Sequence, residues 1–491
     1  MVFHCRAAAA AASLGLAVLL VACLAPDAAT ALGRTPASLI QRRSASALGN
    51  DSQSVFNQLI DHFNPQHRET FKQRYFENTD NFDPVNGPIF LYICGEATCG
   101  GIPNDYIRVL SKQFNAAIVT LEHRYYGESS PFAQLTTPNL QYLTSRQAIN
   151  DLAAFRDFYQ HNVVDVRYAQ QRAGRGDNLW FTYGVSYSGA LSAWFRLKFP
   201  HLTAGSLASS GVVDVVLSFP EFDEQVTRSV GSDCANALHA AMSGVEALLA
   251  ANPVATKVLF KATSLSSNLD FLSMLADSTA LSVQYGHKDS MCPPLVQAFQ
   301  AGQNMTLAFA QYVTTSFYTI FEVDPFSYSQ EYLKQVQAGP DSGARQWTYQ
   351  TCAEMGYFQV APAGFSIRSR QLTIDYYQSL CQNVFGVWPP VINATNEYYG
   401  ARNIASTQTF FTNGAQDPWQ NVTLQVSNNP LRPTATAVCD NCGHGVDMRG
   451  CPQSPAQTNG DTSLCKPDGS NVKAIQASIV QYLQAWLKPQ L

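Results

Sequence analysis

The first chemistry legible in this chain is a serine in the string Gly184-Val185-Ser186-Tyr187-Ser188-Gly189. Between a strand-like and a helix-like segment, small neighbours let the backbone turn tightly, so the hydroxyl projects as a nucleophile and the next N–H faces a developing oxyanion. Tyr187 would supply that N–H. A serine hydroxyl needs a base to take its proton, and an imidazole base needs a carboxylate to hold its tautomer. Those partners are expected after the serine, on loops that follow later strands. Of the nine histidines, only His201, His239, His287 and His444 lie downstream. His201 follows the turn too closely, and His239 and His287 sit in helical texture, whereas His444 stands in the glycine-flanked loop Cys442-Gly443-His444-Gly445 after a strand. His444 is therefore the expected base and Asp417, in Asn413-Gly414-Ala415-Gln416-Asp417-Pro418-Trp419, the expected acid. Asp440 and Asp447 compete with it, since aspartate is common in turns and at helix starts.

A triad in the opposite order would use His123, Asp151 and Ser186. His123 directly follows a buried strand, where packing against the sheet end is the simpler role. The second oxyanion donor is expected from the loop Cys94-Gly95-Glu96, at the Glu96 N–H; the same loop reads equally as a turn stapled through Cys94 and Cys99.

The elements that must position these groups alternate. Pro88 to Ile93 and Ala116 to Leu121 read as buried parallel strands. Ser145 to Phe158 carries apolar residues at Ala148, Leu152, Phe155 and Phe158, one helix face. A strand from Leu179 to Tyr183 leads into the serine turn, and a helix from about Leu191 to Lys198 is stopped by Pro200. This is α/β texture. From about Asp214 to Gly400 it gives way to helical stretches such as Cys234 to Ala250 and Leu295 to Phe321, and strands return at Thr407 to Phe411 and Thr434 to Val438 before a closing helix near Val472 to Leu487. The expected organisation is a core in two parts, residues 32–213 and 401–491, with a helical insertion at 214–400.

Among 491 residues, 46% are hydrophobic and 14% charged, with a net charge of −5, which excludes disordered, collagenous and coiled-coil classes. The acidic balance leaves no basic patch for a phosphate backbone, so nucleic acid is not an expected partner. His4 and Arg6 precede an apolar run from Ala7 to Ala25, followed by Ala29-Thr30-Ala31, the pattern of a secretory signal peptide over residues 1–31, or alternatively of an uncleaved anchor. A cleaved leader implies no stable membrane insertion. Of twelve cysteines, ten remain after that leader, and in an oxidising compartment up to five disulfides are expected, with the pairing open. Cys439, Cys442, Cys451 and Cys465 near His444 could alternatively be read as a zinc site, although thiolates on the secretory route usually oxidise. Neither a metal nor a cofactor is expected. Asn50, Asn304, Asn393 and Asn421 stand in glycosylation triplets.

Several longer strings resemble a known family: Asp61-His62-Phe63, Thr70 to Phe76, Glu122 to Ser129, Leu143-Thr144-Ser145, the Ser186 turn running to Arg196, Asn413-Gly414 with Asp417-Pro418-Trp419, and His444 with Asp447-Met448-Arg449. The chain resembles serine carboxypeptidase family S28, and Tyr349 to Cys352 with Glu354, Leu380-Cys381 and Tyr398 to Gly400 look most like its thymus-specific serine protease branch. The resemblance implies an α/β-hydrolase fold with a helical insertion over the active site. It also implies a secreted or lysosomal (vacuolar) exopeptidase that cleaves peptides next to proline, from either end, and a homodimer. The family turn reads Gly-Gly-Ser-Tyr-Gly-Gly, so Val185 and Ser188 depart from it, and a modest change of turn geometry is expected. Trp347, Tyr349 and Trp419 are candidate walls of a proline pocket, with core packing as the alternative for each. Glu354 is a candidate for a substrate amine or for an internal pair. A lipase or carboxylesterase, and a silent hydrolase-fold binding protein, are the competing functional classes.

Overall fold

A computed structural model describes residues 51–339, 343–465 and 470–488. The signal-peptide reading of residues 1–31 and the triplet at Asn50 lie outside the described residues. Eight strands build one sheet: β1 (Ser52–Leu59), β2 (Thr70–Asn78), β3 (Ile89–Ile93), β4 (Ala117–Leu121), β5 (Trp180–Val185), β6 (Gly205–Ser209) and, after a second small sheet, β9 (Thr409–Gly414) and β10 (Thr434–Ala437). Every residue of β3, β4, β5, β6 and β9 is buried, as parallel strands covered on both faces require. The β1 edge instead alternates exposed and buried positions along much of its length.

The sheet order is β1-β2-β4-β3-β5-β6-β9-β10, with antiparallel pairing at β1/β2 and β2/β4 and parallel pairing from β4 to β10. This is the α/β-hydrolase fold. Helices α1 (Tyr106–Phe114), α2 (Ser145–Phe158), α3 (Tyr187–Lys198) and α11 (Ser470–Trp486) flank it. Leu152 and Phe155 of α2 and Leu191, Trp194 and Phe195 of α3 fill one core, while Ile107 and Leu110 of α1 join Ile475, Ile479 and Leu483 of α11 in the other. The α2 boundaries follow from local chemistry, because the Thr144 side chain accepts the Gln147 N–H as an N-cap.

Between β6 and β9 the chain is mainly helical: α4 (Glu221–Ala251), α5 (Asn268–Gln284), α6 (Lys288–Gln300), α7 (Met305–Tyr312), α8 (Gly343–Gln350), α9 (Ile374–Phe385) and α10 (Ile392–Tyr399). The helix expected over 234–250 begins at Glu221 and passes through Gly231, which at φ 77° kinks it. The helix expected over 295–321 is two, α6 and α7, broken at Gly302, which has φ 65°. A strand signal missed in this stretch pairs β7 (Val216–Ser218) with β8 (Gly356–Phe358) in parallel. The ten described cysteines pair as Cys94–Cys99, Cys234–Cys292, Cys352–Cys381, Cys439–Cys442 and Cys451–Cys465, which leaves none of the four C-terminal thiols as a zinc ligand. No described helix is long and apolar enough to cross a membrane.

Candidate active site

The turn at Ser186 is sharper than the sequence suggested, because α3 begins at Tyr187 and not near Leu191. Ser186 alone makes the turn, at φ 70° and ψ −129°, a region that costs a non-glycine residue about 1–3 kcal/mol. Neighbouring backbone holds it there. Its N–H donates to the Ser209 carbonyl at 2.9 Å. A Cβ on Gly184 would lie 1.9 Å from the Ser188 carbonyl oxygen, and one on Gly189 would lie 2.8 Å from that of Ser209. The two departures from the family turn are accommodated: Ser188 Oγ donates to the Val185 carbonyl at 2.8 Å and accepts the Val185 N–H at 3.1 Å.

His444 meets Asp417, not the other two carboxylates. Its Nδ1 lies 2.8 Å from Asp417 Oδ2, and both side chains are buried. Asp417 Oδ1 accepts the Trp419 N–H at 3.0 Å, so the carboxylate is oriented at both oxygens. His444 Nε2 is buried and has no hydrogen-bond partner. The histidine loop lies against the serine turn: a Cβ on Gly445 would come 2.6 Å from Val185 Cγ1, and the Gly445 N–H donates to Ser210 Oγ at 3.0 Å. Asp440 instead pairs with Lys288. Asp447 accepts from Ser209 Oγ at 2.5 Å and Thr412 Oγ1 at 2.7 Å, tying β6 to β9, and burial pushes its carboxyl up.

The reverse-order trio is not assembled. His123 Nδ1 meets the Arg124 carbonyl at 2.8 Å and its Nε2 meets the Tyr187 hydroxyl at 3.1 Å, while burial pushes the imidazole down to about 4. Asp151 accepts from Arg124 Nε and Nη2, at 2.6 Å each, and meets His62 at 2.8 Å.

The Glu96 loop is anchored from below by Glu122, whose carboxylate accepts from Arg74 Nε and Nη2, Ser129 Oγ, the Glu128 N–H and the Cys99 N–H. Gly127, at φ 57°, leaves room for it, since a Cβ there would lie 1.9 Å from Glu122 Oε1. Glu96 and Ser186 line one cavity, and Glu96 Oε2 is buried without a partner. Burial pushes the Glu96 carboxyl up, opposed by its own main-chain N–H and then by the His444 and Arg449 charges. At the start of α3, the Tyr187 N–H has no acceptor within the helix.

That cavity measures about 300 Å³ and is lined largely by residues between β6 and β9. Trp347 and Trp419 both line it, as expected. Trp419 is steadied by an Nε1 bond to Gln284 at 3.1 Å and Trp347 by the Tyr187 ring at 5.5 Å. Tyr349 does not line it. Two residues along α8 are about 200° around the helix, which turns Tyr349 away to pack on Phe385. Glu354 does not line it either: its carboxylate accepts from the Ser145 N–H at 2.9 Å and the Ser145 hydroxyl at 2.5 Å, at the start of α2. It is the internal pair and not a cavity group.

Sequence reasoning missed Asp277, Gln284, Tyr285 and Tyr357, which complete the walls. Ser273, Asp277, Ala280, Leu281 and Gln284 occupy one stripe of α5, so polar residues recurring at helical spacing in an otherwise apolar helix were the available signal. The Tyr285 and His444 rings stand perpendicular, with centroids 6.2 Å apart.

Comparison with known proteins bears on the same residues' context. The family described as Serine carboxypeptidase S28 matches residues 58–459. A probable serine protease EDA2 of Arabidopsis thaliana is 45% identical over 88% of this chain and 88% of its own. The thymus-specific serine protease of Mus musculus is 29% identical over 89% of this chain and 87% of its own, and the lysosomal Pro-X carboxypeptidase of Bos taurus 27% identical over 89% and 92%. The chain belongs to serine carboxypeptidase family S28 and is a serine-type peptidase that acts on peptides.

Proposed function

We propose that the chain is a secreted or lysosomal exopeptidase that cleaves next to proline through an acyl-enzyme, with Ser186 as nucleophile, His444 as base and then acid, and Asp417 as its orienter. The observation that carries this reading is the buried Asp417–His444 contact at 2.8 Å, with Nε2 left unpartnered on a loop packed against the serine turn. His444 Nε2 takes the Ser186 proton as Oγ attacks the scissile carbonyl, and Asp417 steadies the imidazolium. The Tyr187 and Glu96 N–H groups receive the oxyanion, the Glu96 amide being freed from its own carboxylate as substrate enters. The imidazolium protonates the leaving amine, and water reverses the sequence at the ester.

Residues 214–400 act in this reading as a cap that leaves room for a peptide end but not for a chain passing through. Trp347 and Trp419 offer flat faces for a proline ring, which has no N–H to satisfy. The family's Pro-X carboxypeptidase supports the proline preference, and its lysosomal member and an extracellular carboxypeptidase of Arthroderma benhamiae support the secretory route. A homodimer belongs to the same proposal.

The test is mass spectrometry of products from one peptide with proline second from its amino end and next to last, beside a Ser186→Ala control. Loss of a terminal residue or dipeptide at proline is expected. No cleavage by protein that a fluorophosphonate labels at Ser186 would overturn the proline-exopeptidase reading.

A further inference from the structure

Among the described residues, the cavity that holds Ser186 is lined by two carboxylates, Glu96 and Asp277, and by no lysine or arginine. A free carboxylate at a peptide's end would meet like charge there, whereas a free amine would meet countercharge. Glu96 Oε2 is buried with no hydrogen bond, so an acceptor in this cavity is still unsatisfied.

We propose that Asp277 binds the free amino terminus of the substrate, so that this peptidase removes an amino-terminal dipeptide. The inference rests on Ser186 being the nucleophile, as proposed above. Its geometry comes from α5. The Gln284 carbonyl accepts the His444 N–H at 2.8 Å, so the last residue of α5 marks the catalytic end of the cavity. Asp277 lies seven residues earlier on the same cavity-facing stripe, and at about 1.5 Å per residue that is about 10 Å along the helix. In an extended peptide two residues span about 7 Å, and an ammonium–carboxylate contact adds about 3 Å. A dipeptide with its ammonium contact matches this axial spacing along α5.

The Arg368 charge favours the ionised form of Asp277, but its guanidinium is committed to other partners. Arg368 sits behind the wall with no exposed side-chain surface, its Nε on Asp223 at 2.5 Å and its Nη2 on Gln359 at 3.1 Å. Its Nη1 has no hydrogen bond but is sealed from the cavity. Burial pushes the Asp277 carboxyl up to about 6, which leaves it ionised at neutral pH.

The test uses the full signal-free protein at pH 7.5 and one proline-second peptide in four forms: free, amino-acetylated, carboxyl-amidated, and capped at both ends. The expected result is release of the amino-terminal dipeptide from the free and amidated forms at equal kcat/KM, with at least a 100-fold loss on acetylation. Asp277→Asn should raise KM for the free peptide at least 10-fold with a smaller change in kcat. Equal cleavage of the acetylated form, or loss on amidation, overturns the anchor while leaving Ser186 in place. Failure of a fluorophosphonate to label Ser186 in the wild type overturns both.

Discussion

The His444 main-chain N–H donates to the Gln284 carbonyl at 2.8 Å, so the loop that bears the proposed base hangs from the last turn of a helix inserted between β6 and β9. The helices that line the cavity therefore also set the position of the imidazole.

Crowding at this junction makes Gly443 intolerant of a side chain. A Cβ there would lie 2.2 Å from the Gln284 carbonyl oxygen, and neither backbone can yield without moving His444. Gly443→Ala is expected to lower kcat by about 10–100-fold, since a misplacement of about 1 Å has that effect. Steady-state kinetics with active-site titration by a fluorophosphonate checks it, and wild-type kcat would refute the coupling.

Two buried aspartates near His444 should respond differently. Asp417→Asn leaves the geometry but favours the wrong imidazole tautomer, so kcat should fall by about 10³–10⁴-fold. Asp447→Asn changes a carboxylate bonded to Ser209 and Thr412, so kcat should stay within about 10-fold of wild type while the melting temperature moves. A larger kinetic loss at Asp447 than at Asp417 would reverse the assignment of the acid.

Glu122 gathers five donors around one buried carboxylate. Glu122→Ala strands Arg74 against the loss of its main partner and is expected to cost about 3–5 kcal/mol in denaturant unfolding. A loss under about 1 kcal/mol would mean that Glu128, 2.8 Å from Arg74, suffices.

Asp277 should cost stability in a defined pH window. Its carboxyl is raised from 3.8 to about 6, chiefly by burial, so the folded chain keeps a proton that the unfolded chain gives up between those values. Stability then falls as pH rises from about 4 to 6, and the full cost is present above 6. Asp277→Asn is expected to be more stable than wild type by on the order of 1–2 kcal/mol at pH 7.5, with no gain at pH 3.5. Thermal melts at the two pH values decide it, and a gain confined to low pH would contradict the sign.

What the sequence by itself determined is local or cumulative. The family and the α/β-hydrolase architecture were legible because buried strand runs and many short motifs agree along most of the chain. The Ser186 turn was legible because its glycines answer to backbone atoms close by, such as the Ser188 carbonyl beside Gly184. The bounds of α2, capped by Thr144, were legible for the same reason. Only the tertiary structure decided which of three aspartates touches His444, because Asp417 reaches it across 27 residues with β10 between them. Tertiary packing also turned Tyr349 and Glu354 out of the cavity and brought Asp277 into it. Composition and periodicity report that a helix has a buried face; the azimuth at which that face meets an element distant in sequence is set by packing that no local pattern encodes.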